Sequence, residues 1–196
     1  MTRLIAGAAG GRRLATAPGR TTRPTSDRAR EGLFSTVEAI RGGLSGAAVL
    51  DLYAGSGAVG LEALSRGATD VLLIEADARA GRVIKANIAA VGLPGARLIA
   101  DRVERVLARG PADVLPAERP GPRDFVFADP PYAMSDDEVT RVLTLLATRG
   151  WAAPGALVAV ERASRSGPLA WPAGFETDRS RRYGEATLWY GLAAGA

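Results

Sequence analysis

The chain has 196 residues, of which 47% are hydrophobic, and a formal net charge of +4; this length suits one domain with a sizeable core. It contains neither cysteine nor histidine, which excludes disulfides, thiolate nucleophiles, the usual zinc sites and imidazole acid–base catalysis. No apolar stretch reaches the length of a membrane span. We therefore expect a soluble, cytoplasmic protein without a bound metal.

Positive charge is concentrated at the N-terminus, where residues 1–48 hold eight arginines against three acidic residues. We predict that residues 1–24 form a basic arm or hairpin and that residues 25–196 form the main domain. A cationic cluster of this kind suits nucleic-acid phosphates. The candidate phosphate contacts are Arg12, Arg13, Arg20, Arg23, Arg28 and Arg30.

Two other interpretations of this basic segment stay open. The arm can be merely solvated, since only one of the 25 basic residues is lysine, which indicates a general preference for arginine. Arg28 and Arg30 can also pair with Asp27 and Glu31 on their own helix.

Helices and strands alternate along the chain. Residues 24–27 predict the start of a helix that ends at Gly42 and Gly43. Strands are predicted at residues 47–53, 70–76, 97–100, 125–129 and 156–162, and helices at 59–66, 78–91, 102–109 and 136–149. Residues 176–183 and 186–192 predict an antiparallel hairpin around Gly184. This order is typical of an α/β protein with a doubly wound, mostly parallel sheet.

A glycine-rich loop follows the first long strand. Gly55, Gly57 and Gly60 fit the spacing G-x-G-x-x-G, which allows the backbone to approach a ligand closely. Glu75, at the end of the next strand, is placed to accept hydrogen bonds from ribose hydroxyls. The same pattern occurs in NAD-dependent enzymes, which are the competing interpretation. Asp51, just before the loop, would repel a pyrophosphate and favours the cationic groups of S-adenosylmethionine (SAM).

The third predicted strand is followed by a candidate adenine contact. The Asp101 carboxylate can accept from the adenine amino group, with Arg102 and Val103 flanking the ring. Asp101 can equally cap the helix that follows it, and the two roles are compatible. The full set of predicted cofactor contacts is Asp51, Tyr53, Ala54, Gly55, Ser56, Gly57, Glu75, Ala76, Asp101 and Arg102.

The motif Asp129-Pro130-Pro131-Tyr132 ends an apolar strand, and we predict that its four residues are catalytic. Pro131 holds Pro130 extended, so the segment is rigid. The Asp129 carboxylate and the Pro130 carbonyl can accept from an NH2 group while Tyr132 stacks on a planar base. Acceptors outside the base plane free the nitrogen lone pair for attack. The alternative is a turn in which Asp129 caps the next helix.

In their order, these motifs resemble the bacterial RsmD family, which methylates guanine N2 in small-subunit ribosomal RNA. The resemblance is carried by residues 23–34 (RPTSDRAREGLF), 51–57 (DLYAGSG), 129–132 (DPPY) and 183–185 (YGE). It implies a Rossmann-like sheet of seven strands with the last antiparallel, SAM as methyl donor, and 16S ribosomal RNA within the small subunit as substrate. Gly32 departs from the family, which often has another residue there. We expect a monomer.

Other substrates and one other class of function remain as alternatives. The same motif would serve adenine N6 in DNA or a glutamine amide in a protein. A DNA enzyme usually has a sizeable target-recognition insert, for which 196 residues leave no room, and the glutamine enzymes usually have Asn in place of Asp129. A non-catalytic RNA-binding module is disfavoured by the intact glycines and the 129–132 motif.

Overall fold

The structure, a computed structural model, describes residues 2–16, 27–118 and 121–195. The elements in chain order are β1 (Thr2–Arg3), β2 (Arg13–Leu14), α1 (Asp27–Arg41), β3 (Ala48–Leu52), α2 (Ala58–Ser65), β4 (Asp70–Ile74), α3 (Ala78–Val91), β5 (Ala96–Ile99), α4 (Val103–Ala108), β6 (Arg123–Ala128), α5 (Asp136–Thr148), β7 (Ala152–Ala163), β8 (Phe175–Tyr183) and β9 (Ala186–Ala193). No helix in these ranges is long and apolar enough to cross a membrane.

Seven strands form the main sheet in the order β5-β4-β3-β6-β7-β9-β8. Strands β3 to β7 are parallel, and β9 lies antiparallel between β7 and β8. The predicted Rossmann-like sheet with an antiparallel last strand is therefore confirmed. The strand order reverses between β3 and β6, and ligands of such sheets bind at the carboxyl ends of the strands beside this reversal.

The central strands are buried on both faces, which explains their nearly continuous apolar sequences. Val49, Phe125 and Phe127 pack into one hydrophobic cluster with α1, α2 and the N-terminal hairpin. Leu50 and Val126 point to the opposite face and pack with α4 and α5. The parallel strands therefore hold their carboxyl-end loops at one edge of the sheet.

The N-terminal hairpin of β1 and β2 is packed on the domain. Leu4 and Leu14 are 0% exposed and belong to the same cluster as the sheet. The backbone N–H groups of Ile5 and Ala6 donate to the Glu62 carboxylate of α2 at 2.6 and 3.0 Å. The described part of the predicted arm, residues 2–16, therefore shares one core with the rest of the chain.

Strand β6 begins at Arg123, two residues earlier than predicted. The prolines of residues 113–123 predict a loop there, but Arg123 is buried and donates to Asp70 at 2.6 Å. Arg97 donates to the other oxygen of Asp70 at 2.7 Å, and these two hydrogen bonds hold the pKa of Asp70 below its usual value although its burial opposes this. A paired arginine is thus tolerated inside the sheet.

Candidate active site

The loop between β3 and α2 has the backbone conformation that its glycines allow. Gly55 and Gly57 have φ of 60° and 77°, and the Gly57 N–H donates to the Ala54 carbonyl at 2.7 Å. Tyr53 has φ of 59°, which is uncommon for a side chain of its size. Helix α2 begins at once after this turn, so the loop presents its backbone at the carboxyl edge of the sheet.

Asp51 lies beneath this loop and is 1% exposed. Its Oδ2 accepts from the Gly60 N–H in the first turn of α2 at 2.8 Å. Burial raises the pKa of Asp51 to about 8; the hydrogen bond from Gly60 opposes this effect, and the charge of Glu75 adds to it. A cation bound nearby would favour ionised Asp51, as expected for a site that takes a positively charged ligand.

Glu75, directly after β4, connects the glycine-rich loop to the start of α3 through hydrogen bonds. Its Oε2 accepts from the Gly55 N–H and its Oε1 from the Asp77 N–H, both at 2.8 Å. A carboxylate oxygen can accept more than one hydrogen bond, which suits the predicted role of Glu75 toward a ribose hydroxyl. Asp77 in turn caps α3.

Asp101 makes local contacts beside the predicted adenine site. Its carboxylate accepts from the Arg102 N–H at 2.8 Å and pairs with Arg105 at 3.3 Å. The N-cap of α4 is Arg102, so the alternative that Asp101 occupies the N-cap position is wrong by one residue.

A cavity of about 800 Å³ opens between these segments and the loop after β6. This volume suits a nucleoside-sized ligand. Of the predicted cofactor contacts, it brings together Tyr53, Glu75, Ala76 and Arg102. Of the predicted catalytic residues, Pro131 contributes to its wall, and Met134 of the same loop lies beside it.

Tyr53 connects the two sides of this cavity. Its hydroxyl donates to Glu104 at 2.8 Å and lies 3.6 Å from the Met134 sulfur. Burial raises the pKa of Tyr53, and the hydrogen bond and charge of Glu104 add to this effect. The contacts link the glycine-rich loop to the segment that follows residues 129–132.

Residues 129–132, here called the base ledge, begin where β6 ends. The Asp129 N–H donates to the Leu52 carbonyl of β3 at 3.3 Å, so the ledge lies directly beside the glycine-rich loop. Tyr132 is 37% exposed, and among the residues that the structure describes it is the one large apolar side chain that is exposed. Ser135 caps α5 with a reciprocal contact to Glu138, so the alternative that Asp129 caps this helix is wrong.

Two adjacent residues of β7, which sequence reasoning missed, flank the ledge. Glu161 is 2% exposed. Arg162 is also buried, and its Nη2 donates to the Met134 carbonyl and to Asp136 Oδ1, both at 2.9 Å. The available signal was a pair of charged residues at the carboxyl end of an otherwise apolar strand, where such sheets bind ligands.

The environment of Tyr132 is acidic. Burial raises the pKa of its hydroxyl, and the nearby carboxylates of Glu161, Asp129 and Glu185 raise it further, while Arg165 opposes them. The ledge therefore presents hydrogen-bond acceptors around an exposed aromatic ring. This arrangement suits a planar group that carries N–H donors.

Arg12 and Arg13, from the predicted phosphate-binding set, differ in their surroundings. Arg12 Nη1 donates to the Ala90 and Val91 carbonyls at the end of α3, at 2.5 and 2.9 Å. Both arginines are exposed, and Arg13 lies on β2. Arg20 and Arg23 lie outside the described residues.

Arg30 is buried and makes structural contacts, so its side chain is not exposed for binding a phosphate. It is 1% exposed, donates to the Thr2 hydroxyl and the Arg3 carbonyl, and pairs with Asp27 at 3.0 Å. The predicted alternative, pairing within α1, is what the structure shows for Arg30. Arg28 is exposed on the same helix. Within the described ranges, no group of three or more acidic residues could hold a metal ion.

The sheet order, the glycine-rich loop and the ledge together define the Rossmann-like class of methyltransferases. The family described as Conserved hypothetical protein 95 matches residues 2–191, and the chain belongs to this family, that of the ribosomal RNA small subunit methyltransferases D.

Similar proteins cover nearly the whole chain. Ribosomal RNA small subunit methyltransferase D of Escherichia coli K12 is 34% identical over 183 residues, which are 93% of this chain and 85% of that protein. The enzyme of the same name from Haemophilus influenzae is 33% identical over 171 residues, covering 87% and 82%. The solved structure of E. coli yhhF superposes with a TM-score of 0.81 at 32% identity, covering 100% of this chain and 99% of that one.

Proposed function

We propose that this chain transfers the methyl group of SAM to the exocyclic N2 of a guanine in 16S ribosomal RNA within the small ribosomal subunit, in the cytoplasm. The observation that carries this proposal is the contact between Asp129 and Leu52, which sets the base ledge beside the glycine-rich loop. The names of the relatives support ribosomal RNA of the small subunit as the substrate.

The residues around the cavity fit SAM. Glu75 offers acceptors for ribose hydroxyls, and Arg102 and Val103 line the part of the cavity where a purine would lie. Asp51 supplies a buried carboxylate for which a cation is a favourable neighbour. When bound, SAM supplies an electrophilic methyl group and its own leaving group, so the chain needs no acid to activate it.

The ledge would act on the guanine by holding and orienting it. Asp129 and the Pro130 carbonyl accept from the N2 amino group, and Tyr132 stacks on the ring. The base must leave its own stack to reach these groups. Catalysis then depends on alignment of the amino nitrogen with the methyl group at near-attack distance.

Exposed arginines near the N-terminus would bind RNA phosphates. Arg13 and Arg28 are exposed in the structure, and Arg20 and Arg23 remain predicted contacts. Deleting residues 1–24 would remove Leu4 and Leu14 from the core, so it would not isolate RNA binding. Single substitutions such as Arg13→Gln and Arg28→Gln are the appropriate variants, with weaker and less salt-dependent RNA binding expected.

The test is transfer of labelled methyl from SAM to small ribosomal subunits from cells lacking the enzyme, to free ribosomal RNA and to duplex DNA. Nuclease digestion and base analysis identify the product. N2-methylguanine in the RNA supports the proposal. Label in N6-methyladenine or in protein would keep the fold and overturn the substrate, and no label in any acceptor would indicate a binding module.

A further inference from the structure

A second cationic surface lies on the other side of the base ledge from the N-terminal hairpin. We propose that this surface, formed by Arg165 and Arg182 and here called the turn patch, binds the RNA backbone next to the target base. The proposal rests on the proposed function and adds a second contact region to it.

Two turns bonded to each other support the patch: Arg165 lies in the turn after β7, and Arg182 lies near the end of β8, two residues before Gly184 of the β8–β9 turn. In the turn after β7, the Ser166 N–H donates to the Ala163 carbonyl at 2.9 Å, which places Arg165 near its tip. The β8–β9 turn contains Gly184 with φ of 64°. The Ser164 N–H donates to the Glu185 carbonyl at 2.7 Å and its hydroxyl to the Gly184 carbonyl at 3.1 Å. These contacts hold both turns as one unit.

The turn patch lies next to the ledge because both follow neighbouring parallel strands. Ala128 of β6 pairs with Val160 of β7, so the segments after these strands leave the sheet at the same edge. Tyr132 lies close enough to both turns for their charges to affect it, since Glu185 raises the pKa of its hydroxyl and Arg165 lowers it. A nucleotide stacked on Tyr132 would therefore have its flanking backbone close to this patch.

The patch has an excess of positive charge that is exposed. Both of its arginines are exposed, and Glu185 is the one acidic residue in the two turns. The Arg182 Nε donates to the Gly184 carbonyl at 3.0 Å, which holds this side chain beside the turn. Guanidinium groups bind phosphate with paired hydrogen bonds, whereas a protein partner would need an apolar centre in addition.

The two cationic regions flank the ledge. The hairpin is bonded to Glu62 of α2 and Asn87 of α3, on the β3 and β4 side of the sheet. The turn patch follows β7 and β8, on the far side of β6. RNA bound to both regions would cross the ledge between them. The backbone on both sides of the flipped base would then be held by the protein.

Protection of the sheet edge is the competing explanation. Strand β8 is an edge strand, and charged residues on such strands prevent pairing with other chains. Arg165 lies outside β8, and edge protection does not require it to be near Tyr132. Edge protection predicts no effect of these arginines on RNA binding, so the two explanations give different results.

The test compares two double variants on small ribosomal subunits from cells lacking the enzyme. Arg165→Gln/Arg182→Gln removes two charges from the turn patch. Arg109→Gln/Arg149→Gln removes two exposed charges from the C-terminal ends of α4 and α5, at the opposite edge of the sheet. The readouts are KM for subunits, kcat, the salt dependence of subunit binding, and SAM affinity by calorimetry.

For the turn-patch variant we expect KM to rise by about tenfold and the log–log salt slope of binding to become shallower by about two, because two phosphate contacts are lost. We expect kcat at saturation, SAM affinity and all values of the control variant to be unchanged. An unaltered KM and salt slope, or a lower kcat at constant KM, would overturn the patch while wild-type methylation of RNA still supports the proposed function. Failure of the wild-type protein to label ribosomal RNA would overturn both.

Discussion

The ring of Tyr183 packs directly on the backbone of Gly32, so that a Cβ at residue 32 would overlap the Tyr183 hydroxyl. Gly32 lies in the middle of α1, and Tyr183 ends β8. Glycine inside a helix costs about 1 kcal/mol relative to alanine. The close contact explains why this chain has glycine where the family often has another residue.

We expect Gly32→Ala to lower the free energy of unfolding by about 1–3 kcal/mol, because the overlap with the ring exceeds the gain in helix propensity. Urea unfolding would measure it. In a Tyr183→Ala background the overlap is absent, so the same substitution should become neutral or stabilising. Equal destabilisation in both backgrounds would show that the ring is not the cause.

Features that depend on local backbone conformation could be predicted from the sequence. The glycine-rich loop is an example, because positive φ at Gly55 and Gly57 is a requirement that few other residues meet. The doubly wound, mostly parallel sheet follows from the alternation of elements and was also predicted correctly, as was the position of residues 129–132 directly after a buried strand. These features depend on residues that are close in the chain.

Features that depend on distant partners could not be predicted. Arg30 looked like a surface cation, but its buried contacts are with Thr2 and Arg3, at the far end of the hairpin. Asn87 bonds both the N–H and the carbonyl of Ala15, 72 residues away, and also the Ser56 carbonyl in the glycine-rich loop. Only the folded structure shows that the hairpin is connected, through Asn87, to the glycine-rich loop.

Asp129→Ala should reduce turnover by about 10²- to 10³-fold, because the amino group loses an acceptor in the position where charge develops. SAM affinity should stay within a few-fold of wild type, since the contact of residue 129 with Leu52, which precedes the glycine-rich loop, is made by its backbone. Single-turnover methylation and calorimetry would check these values. Asp137→Ala, which removes an exposed carboxylate from α5, is the matched control. Loss of SAM binding in Asp129→Ala would contradict the assigned role.

Asp51 should make the stability of the protein depend on pH. Burial raises the pKa of Asp51 in the folded state to about 8. Its contribution to stability is therefore complete at a pH below the pKa of this group in the unfolded chain, and is lost as the pH rises through about 8. We expect the free energy of unfolding of Asp51→Asn to fall less between about pH 5 and pH 9 than that of the wild type. Urea unfolding across this range would measure the difference. Parallel profiles would show that residue 51 is ionised throughout.

Arg162 should control the position of the base ledge. It is bonded to the Met134 carbonyl and to Asp136, one on each side of the start of α5. Arg162→Met removes both contacts, and a displacement of about 1 Å at the reacting atoms lowers kcat by up to about 10²-fold. Asp136→Asn keeps the contact between Arg162 and Met134, so its kcat should fall much less.

The separation of binding from turnover distinguishes this role from a general loss of structure. The predicted SAM contacts lie on the other side of the cavity, so calorimetry should give a SAM affinity for Arg162→Met close to that of wild type. Arg162→Lys keeps the charge and one donor, and we expect it to recover part of kcat. If Arg162→Met instead raised KM for the ribosomal subunit at an unchanged kcat, or if lysine recovered no activity while the fold remained intact, Arg162 would not be positioning the ledge.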